Sequence, residues 1–153
     1  MHRLNYIGSY ILLLLILILV ALIAWTYYLG TTDVTFKRLL GSEPYTSIED
    51  ISLRRYEDSP ISPHLFKIKS KNEQKTLDRL AKDCTLKAIT KNEIPKEAGE
   101  VDIEMVEVAK KSPFLYLSKR YNLKKPNEGR MCLVFRDKKY IYLFINGNLK
   151  ELK

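Results

Sequence analysis

The sequence predicts an α+β fold: one N-terminal transmembrane helix followed by a small antiparallel sheet with one packed helix. Three features predict it. Residues 7–29 carry no charge, two apolar runs between 131 and 145 are rich in β-branched and aromatic residues, and apolar residues recur at helical spacing from Leu77 to Cys84. Strand and helix patterns together in a chain of 153 residues fit one small domain with an appendage.

The opening segment is long enough to cross a bilayer. Residues 7–29 extend about 34 Å as a helix, compared with about 30 Å of hydrocarbon. Aromatic residues, which prefer the headgroup level, flank both ends: Tyr6, Tyr10, Trp25, Tyr27 and Tyr28. Ala21 and Ala24 have the wrong spacing for a signal-peptidase site, so we expect an uncleaved anchor rather than a cleaved signal or a buried soluble helix.

The anchor divides the chain into four parts. We expect a short tail over 1–6, the transmembrane anchor over 7–29, a juxtamembrane connector over 30–44, and a small α+β soluble domain over 45–153.

The charges on the two sides of the anchor bear on its orientation. Arg3 precedes it, and Lys37 and Arg38 follow it, partly offset by Asp33 and Glu43. The positive-inside rule therefore discriminates weakly. A short tail that holds an arginine is typical of a signal-anchor, which places the soluble domain outside the cytoplasm.

Strand patterns occur at five places in the soluble part: Ile48–Tyr56, Phe66–Lys69, Leu86–Ile89, Met131–Phe135 and Tyr140–Ile145. Both faces of the last run are apolar, so we expect a central strand covered on both sides. Asn146-Gly147 favours a tight turn into a further strand at Leu149–Leu152. Val101–Met105 suits either a strand or a helix, and we prefer the strand.

One soluble helix is predicted after Ser70. Ser70 and Glu73 have the spacing of a capping box, in which each side chain bonds a backbone N–H at the helix start. Behind them, one apolar face is formed by Leu77, Leu80, Ala81 and Cys84.

Cys84 and Cys132 are the two cysteines of the chain. Outside the cytoplasm they could form a disulfide that closes residues 84–132, which is worth about 4 kcal/mol in the chain-entropy model. The alternative is a pair of reduced, buried thiols. There is no CxxC motif, which argues against a redox-active pair.

A basic segment between 110 and 130 is the candidate binding site. Seven bases stand there against Glu128, with Tyr116 and Tyr121 interleaved: Lys110, Lys111, Lys119, Arg120, Lys124, Lys125 and Arg130. Such a segment attracts anionic lipid, cell-surface polymers or an acidic protein. Nucleic acid is the weakest candidate partner because no reading motif is present. The alternative is a solvated, lysine-rich loop.

Residue patterns that carry catalysis or bind a cofactor are missing from the sequence. The glycines are scattered, and no nucleophile elbow occurs. His64 is the only histidine beyond the N-terminus, and we expect it to lie in a turn, which argues against a zinc site or a Cys/His pair. Glu100, Asp102 and Glu104 would share one face of a strand, most simply its solvated face. We therefore expect no enzyme activity, no metal and no cofactor.

These features favour a single-pass, membrane-anchored, non-catalytic binding or accessory module at the cell envelope. It would engage another envelope protein or an anionic surface through the basic segment. The alternative is a small bitopic inhibitor or immunity-type protein that blocks a toxin or enzyme at the membrane. The sequence does not predict an oligomeric state.

Overall fold

A computed structural model of the chain describes residues 2–57, 63–121 and 130–147, with side chains from Tyr10 onward. In chain order the elements are α1 (His2–Leu29), α2 (Thr32–Leu40), β1 (Ile48–Arg55), β2 (His64–Ser70), α3 (Glu73–Asp83), β3 (Leu86–Ala88), a 3₁₀ turn (Lys91–Glu93), α4 (Lys96–Val101), α5 (Ile103–Lys110), β4 (Leu115–Ser118), β5 (Met131–Arg136) and β6 (Ile141–Asn146).

The six strands form one open antiparallel sheet in the order β1-β2-β6-β5-β4-β3. The predicted α+β class and antiparallel sheet are confirmed. The prediction for the last apolar run is confirmed as well, because β6 lies inside the sheet and is covered on both faces. Ile141, Leu143 and Ile145 enter one core cluster, and Phe144 enters the other.

Helices cover both faces of the sheet, so the expectation of one packed helix was wrong. Phe36 of α2 and Leu80 of α3 are fully buried on one face, which we call the α2/α3 face. Ala98 of α4 and Ala109 of α5 are fully buried on the α4/α5 face. A sheet that is apolar on both faces must be covered on both faces, and one helix can lie against only one of them.

The predicted strand at Val101–Met105 was also wrong, because this segment belongs to α4 and α5. Asp102 ends α4 and is the N-cap of α5, where its side chain accepts a hydrogen bond from the Met105 N–H at 2.9 Å. Met105, Val106 and Ala109 are buried with the i, i+1 and i+4 spacing of a helix face. An N-cap carboxylate of this kind satisfies a backbone donor that has no partner within the helix.

The helix after Ser70 is confirmed, but its cap differs. The N-cap of α3 is Asn72, which accepts from the Lys75 N–H at 3.0 Å. The Ser70 hydroxyl instead lies 2.7 Å from the Thr76 hydroxyl. The buried face of α3 includes Thr76, whereas Ala81, which the sequence pattern placed on that face, is exposed.

α1 stands apart from the two core clusters. Its side chains from Tyr10 to Leu29 are all exposed. Among the described residues it is the one helix that is long and apolar enough to span a membrane. The strand predicted at Leu149–Leu152 lies outside the described residues.

Candidate functional site at the α1 end of the sheet

The junction between α1 and the sheet is fixed by Arg55, the last residue of β1. Its guanidinium donates hydrogen bonds to the Gly30 carbonyl and, at 3.1 Å, to the Thr35 hydroxyl. Gly30 directly follows α1, and its N–H bonds back to the Thr26 and Tyr27 carbonyls. A cation beside the last carbonyls of a helix is favourable because they carry partial negative charge. The C-terminal end of α1 therefore lies where β1 ends.

The strand register shows which other residues lie at this end of the sheet. Arg55 pairs with His64, His64 with Ile145, and Ile145 with Cys132. On the far side of β5, Leu133 pairs with Leu117, one residue before β4 ends. We call this end of the sheet the α1 end.

The register divides the predicted basic segment between the two ends of the sheet. Lys119 and Arg120 directly follow β4 at the α1 end, and both are exposed. The Lys119 N–H donates to the Thr85 carbonyl at 2.9 Å, which fixes this turn. Lys110 and Lys111 precede β4 at the opposite end of the sheet. The length of β4, about 13 Å, therefore lies between the two pairs of bases.

The remaining predicted bases do not extend this exposed pair. Arg130 is 4% exposed, so its guanidinium is inside the domain. Its Nε and Nη2 atoms have no hydrogen-bond partner in the described part of the chain. Lys124 and Lys125 lie outside the described residues. Lys110 is paired with Glu107 at 2.7 Å.

Two bases at the α1 end were not recognised from the sequence as part of this site. Arg55 was hidden in a strand pattern, and only the tertiary fold brings it to Gly30. Arg38 lies on the exposed side of α2, one turn beyond Thr35, which Arg55 contacts. The available signal was the closeness of Arg38 to the apolar segment, which bears on orientation as well as on this site.

Cys84 and Cys132 are brought together on the α2/α3 face. Both are buried, both are free in this structure, and both belong to the same core cluster. The neighbouring Cys132 thiol and burial raise the pKa of the Cys84 thiol well above its usual value. The fold therefore places side by side the two residues that the sequence offered as a possible disulfide.

Compared with known proteins, the chain matches no family model, no curated protein and no solved structure.

The predicted row of carboxylates does not form. Asp102 is buried and accepts hydrogen bonds from the Tyr56 hydroxyl at 2.6 Å and from Arg54 at 3.2 Å. Burial alone would raise the pKa of Asp102, but the hydrogen bonds from Tyr56 and Met105, together with the charge of Arg54, lower it. Glu104 is exposed on α5. Asp102 thus has a structural role, because all its partners belong to the domain.

The sequence suggested that His64 lies in a turn, and this prediction was wrong. It is the first residue of β2 and is 1% exposed. In the described ranges, no three His, Cys, Asp or Glu side chains are placed to hold a metal ion. The α1 end of the sheet thus carries two exposed bases, Lys119 and Arg120, four strands away from Arg55 in the sheet order, and exposed bases can bind anions.

Proposed function

We propose that this chain is a single-pass, membrane-anchored, non-catalytic binding module whose bases at the α1 end engage the anionic headgroups of its own bilayer. One observation carries the proposal: the register places Lys119 and Arg120 at the sheet end where Arg55 bonds to Gly30. The same bonding would hold the domain close to the lipid surface outside the cytoplasm.

The exposed apolar surface of α1 supports its insertion into lipid. A contiguous apolar surface of this length is unfavourable in water and favourable in hydrocarbon. Trp25, Tyr27 and Tyr28 lie in its last turns, close to Arg55, which contacts the residue after the helix. Aromatic rings and arginine are typical of the headgroup level.

Electrostatics favours the α1 end over the opposite end as the lipid contact. A base near an anionic surface contributes about 1 kcal/mol. The effect falls off over a Debye length of about 8 Å, whereas a seven-residue strand such as β2 is about 23 Å long. In the proposed arrangement, the bilayer charge therefore attracts Lys119, Arg120 and Arg38, whereas its attraction for Lys110 and Lys111 is screened by salt.

The test compares two charge reversals that change the net charge equally. The full chain is placed in nanodiscs of phosphatidylcholine with or without phosphatidylglycerol, and hydrogen exchange is followed for the peptide that contains Lys119 and Arg120. We expect several-fold slower exchange in anionic discs, reversed by high salt. Lys119→Glu with Arg120→Glu removes this protection, and Lys110→Glu with Lys111→Glu keeps it.

Equal exchange in both lipids would refute the lipid contact. Equal loss of protection in both variants would do the same, since it would show that only net charge matters. A tight protein partner that remains bound at high salt would instead favour the inhibitor or immunity-type alternative.

A further inference from the structure

We propose that Cys84 and Cys132 form a disulfide in the protein as the cell makes it, so that the end of α3 is covalently joined to β5. The two thiols lie in one core cluster, and β4 connects their backbones: the Cys132 N–H donates to the Ser118 hydroxyl, and the Lys119 N–H donates to the carbonyl of Thr85, the residue after Cys84. The chain has two cysteines, so a bridge within the molecule uses both. This proposal requires an extracytoplasmic domain and does not depend on the lipid contact.

Backbone hydrogen bonds fix the positions of both cysteines. Cys84 is the C-cap of α3, and its N–H donates to the Leu80 carbonyl at 2.9 Å. Cys132 lies in β5, pairs with Ile145 and donates its N–H to the Ser118 hydroxyl at 3.2 Å. Regular structure therefore holds both cysteine backbones in place beside the same strand, β4.

The turn after Cys84 is strained. Thr85 has φ = 51°, in the left-handed region, which β-branched residues seldom adopt. Such a conformation persists only where the surrounding structure imposes it. A covalent link from Cys84 to β5 would hold this turn in place.

The oxidant is the disulfide of an oxidised thiol oxidoreductase. One cysteine loses its proton to solvent, and its thiolate attacks this disulfide, forming a mixed disulfide and releasing one donor thiolate. The second cysteine also loses its proton and attacks the sulfur of the first, which releases the other donor thiolate. Two electrons pass to the donor, which takes up two protons. Since Cys84 and Cys132 are 8% and 3% exposed, exchange precedes the packing of α3 on the sheet.

The test counts thiols in the full chain directly after expression. Cells are quenched in acid, and the denatured protein is treated with a polyethylene-glycol maleimide before or after reduction. We expect no addition before reduction, two additions afterwards, and an intact mass about 2 Da below that of the dithiol. The Cys84→Ser variant should accept one maleimide without reduction, and denaturation makes this control independent of folding.

Two maleimide additions before reduction would overturn the proposal, provided that a secreted disulfide protein from the same cells remains protected. A mass increase from a small-molecule adduct on either cysteine would overturn it as well. Failure of the lipid contact would appear in hydrogen exchange and leave the thiol count unchanged, so the two proposals fail separately.

Discussion

At the scale of single residues, Asp102 joins α5 to the β1 side of the sheet. Its carboxylate caps α5 and accepts hydrogen bonds from Tyr56 and Arg54, which lie at the β1 side of the sheet. We expect Asp102→Ala to lower the free energy of unfolding by about 2–3 kcal/mol, because it removes the cap and leaves the Tyr56 hydroxyl without its acceptor. Urea denaturation followed by circular dichroism measures this loss.

The pH dependence of stability checks the same contacts. The pKa of Asp102 is lower in the folded chain than in the unfolded one, so its contribution is complete above the unfolded value, about 3.9, and is lost as pH falls through the lower folded value. Asp102→Asn keeps a capping oxygen and should flatten part of the acid loss. An unchanged acid profile in Asp102→Asn would contradict this role.

At the scale of elements, α2 is the part whose importance the sequence did not reveal. It lies in the predicted connector, yet Phe36 is fully buried. The Phe36 ring lies edge-on to the rings of Phe66 and Tyr45, with 5.4 Å and 5.3 Å between ring centroids. Leu39 and Leu40 enter the same core cluster. The first helix after the apolar segment is therefore packed against the sheet.

Two truncations test this packing. A chain that begins at Thr31 keeps α2 and should unfold cooperatively, whereas one that begins at Tyr45 exposes the α2/α3 face and should not fold. Removing one buried phenylalanine costs about 3–5 kcal/mol, a large part of the 5–15 kcal/mol that stabilises a domain. In the Thr31 chain, Phe36→Ala should lower stability by that amount, and exposed Arg38→Ala should change it little.

Cooperative melting of the chain that begins at Tyr45, with an unchanged midpoint, would show that α2 is dispensable. Aggregation of both truncated chains would show that α1 is also needed for folding. Thermal unfolding followed by circular dichroism, with light scattering as a check for aggregation, separates these outcomes.

Sequence patterns predicted the elements whose signal is local and failed where distant contacts decide. β6 was recognisable because apolar residues on both faces require a central strand. α5 was missed although its cap, Asp102 to the Met105 N–H, is a local contact, because Val101, Ile103 and Met105 also alternate as they would in a strand. Seven bases between 110 and 130 looked like one site, but register places Lys110 and Lys119 at opposite ends of β4. Register depends on long-range pairing, which composition does not contain.

At the scale of the whole molecule, the fold consists of the apolar helix α1 and a domain that carries exposed bases at its α1 end. Arg55 couples the two parts because its guanidinium bonds to Gly30 and Thr35 at once. Arg55 is therefore one of the contacts that fix the sheet relative to α1, together with the packing of α2. In the proposed membrane arrangement, this contact also sets the depth of the last turn of α1.

Trp25, the single tryptophan of the chain, reports that depth. It lies five residues before Gly30, about 7.5 Å along the helix axis, and its ring is close to that of Tyr28, with 6.1 Å between centroids. In proteoliposomes we expect blue-shifted emission that is quenched more strongly by lipids with a nitroxide near the headgroup than by lipids labelled at the bilayer centre. Moving the tryptophan by Trp25→Phe with Ile18→Trp places it about 10 Å deeper and should reverse that order. Emission at the wavelength of free tryptophan, with quenching by aqueous iodide as strong as for free tryptophan, would show that α1 does not occupy the bilayer. Protein recovered from cells without this segment would show that it is removed as a signal.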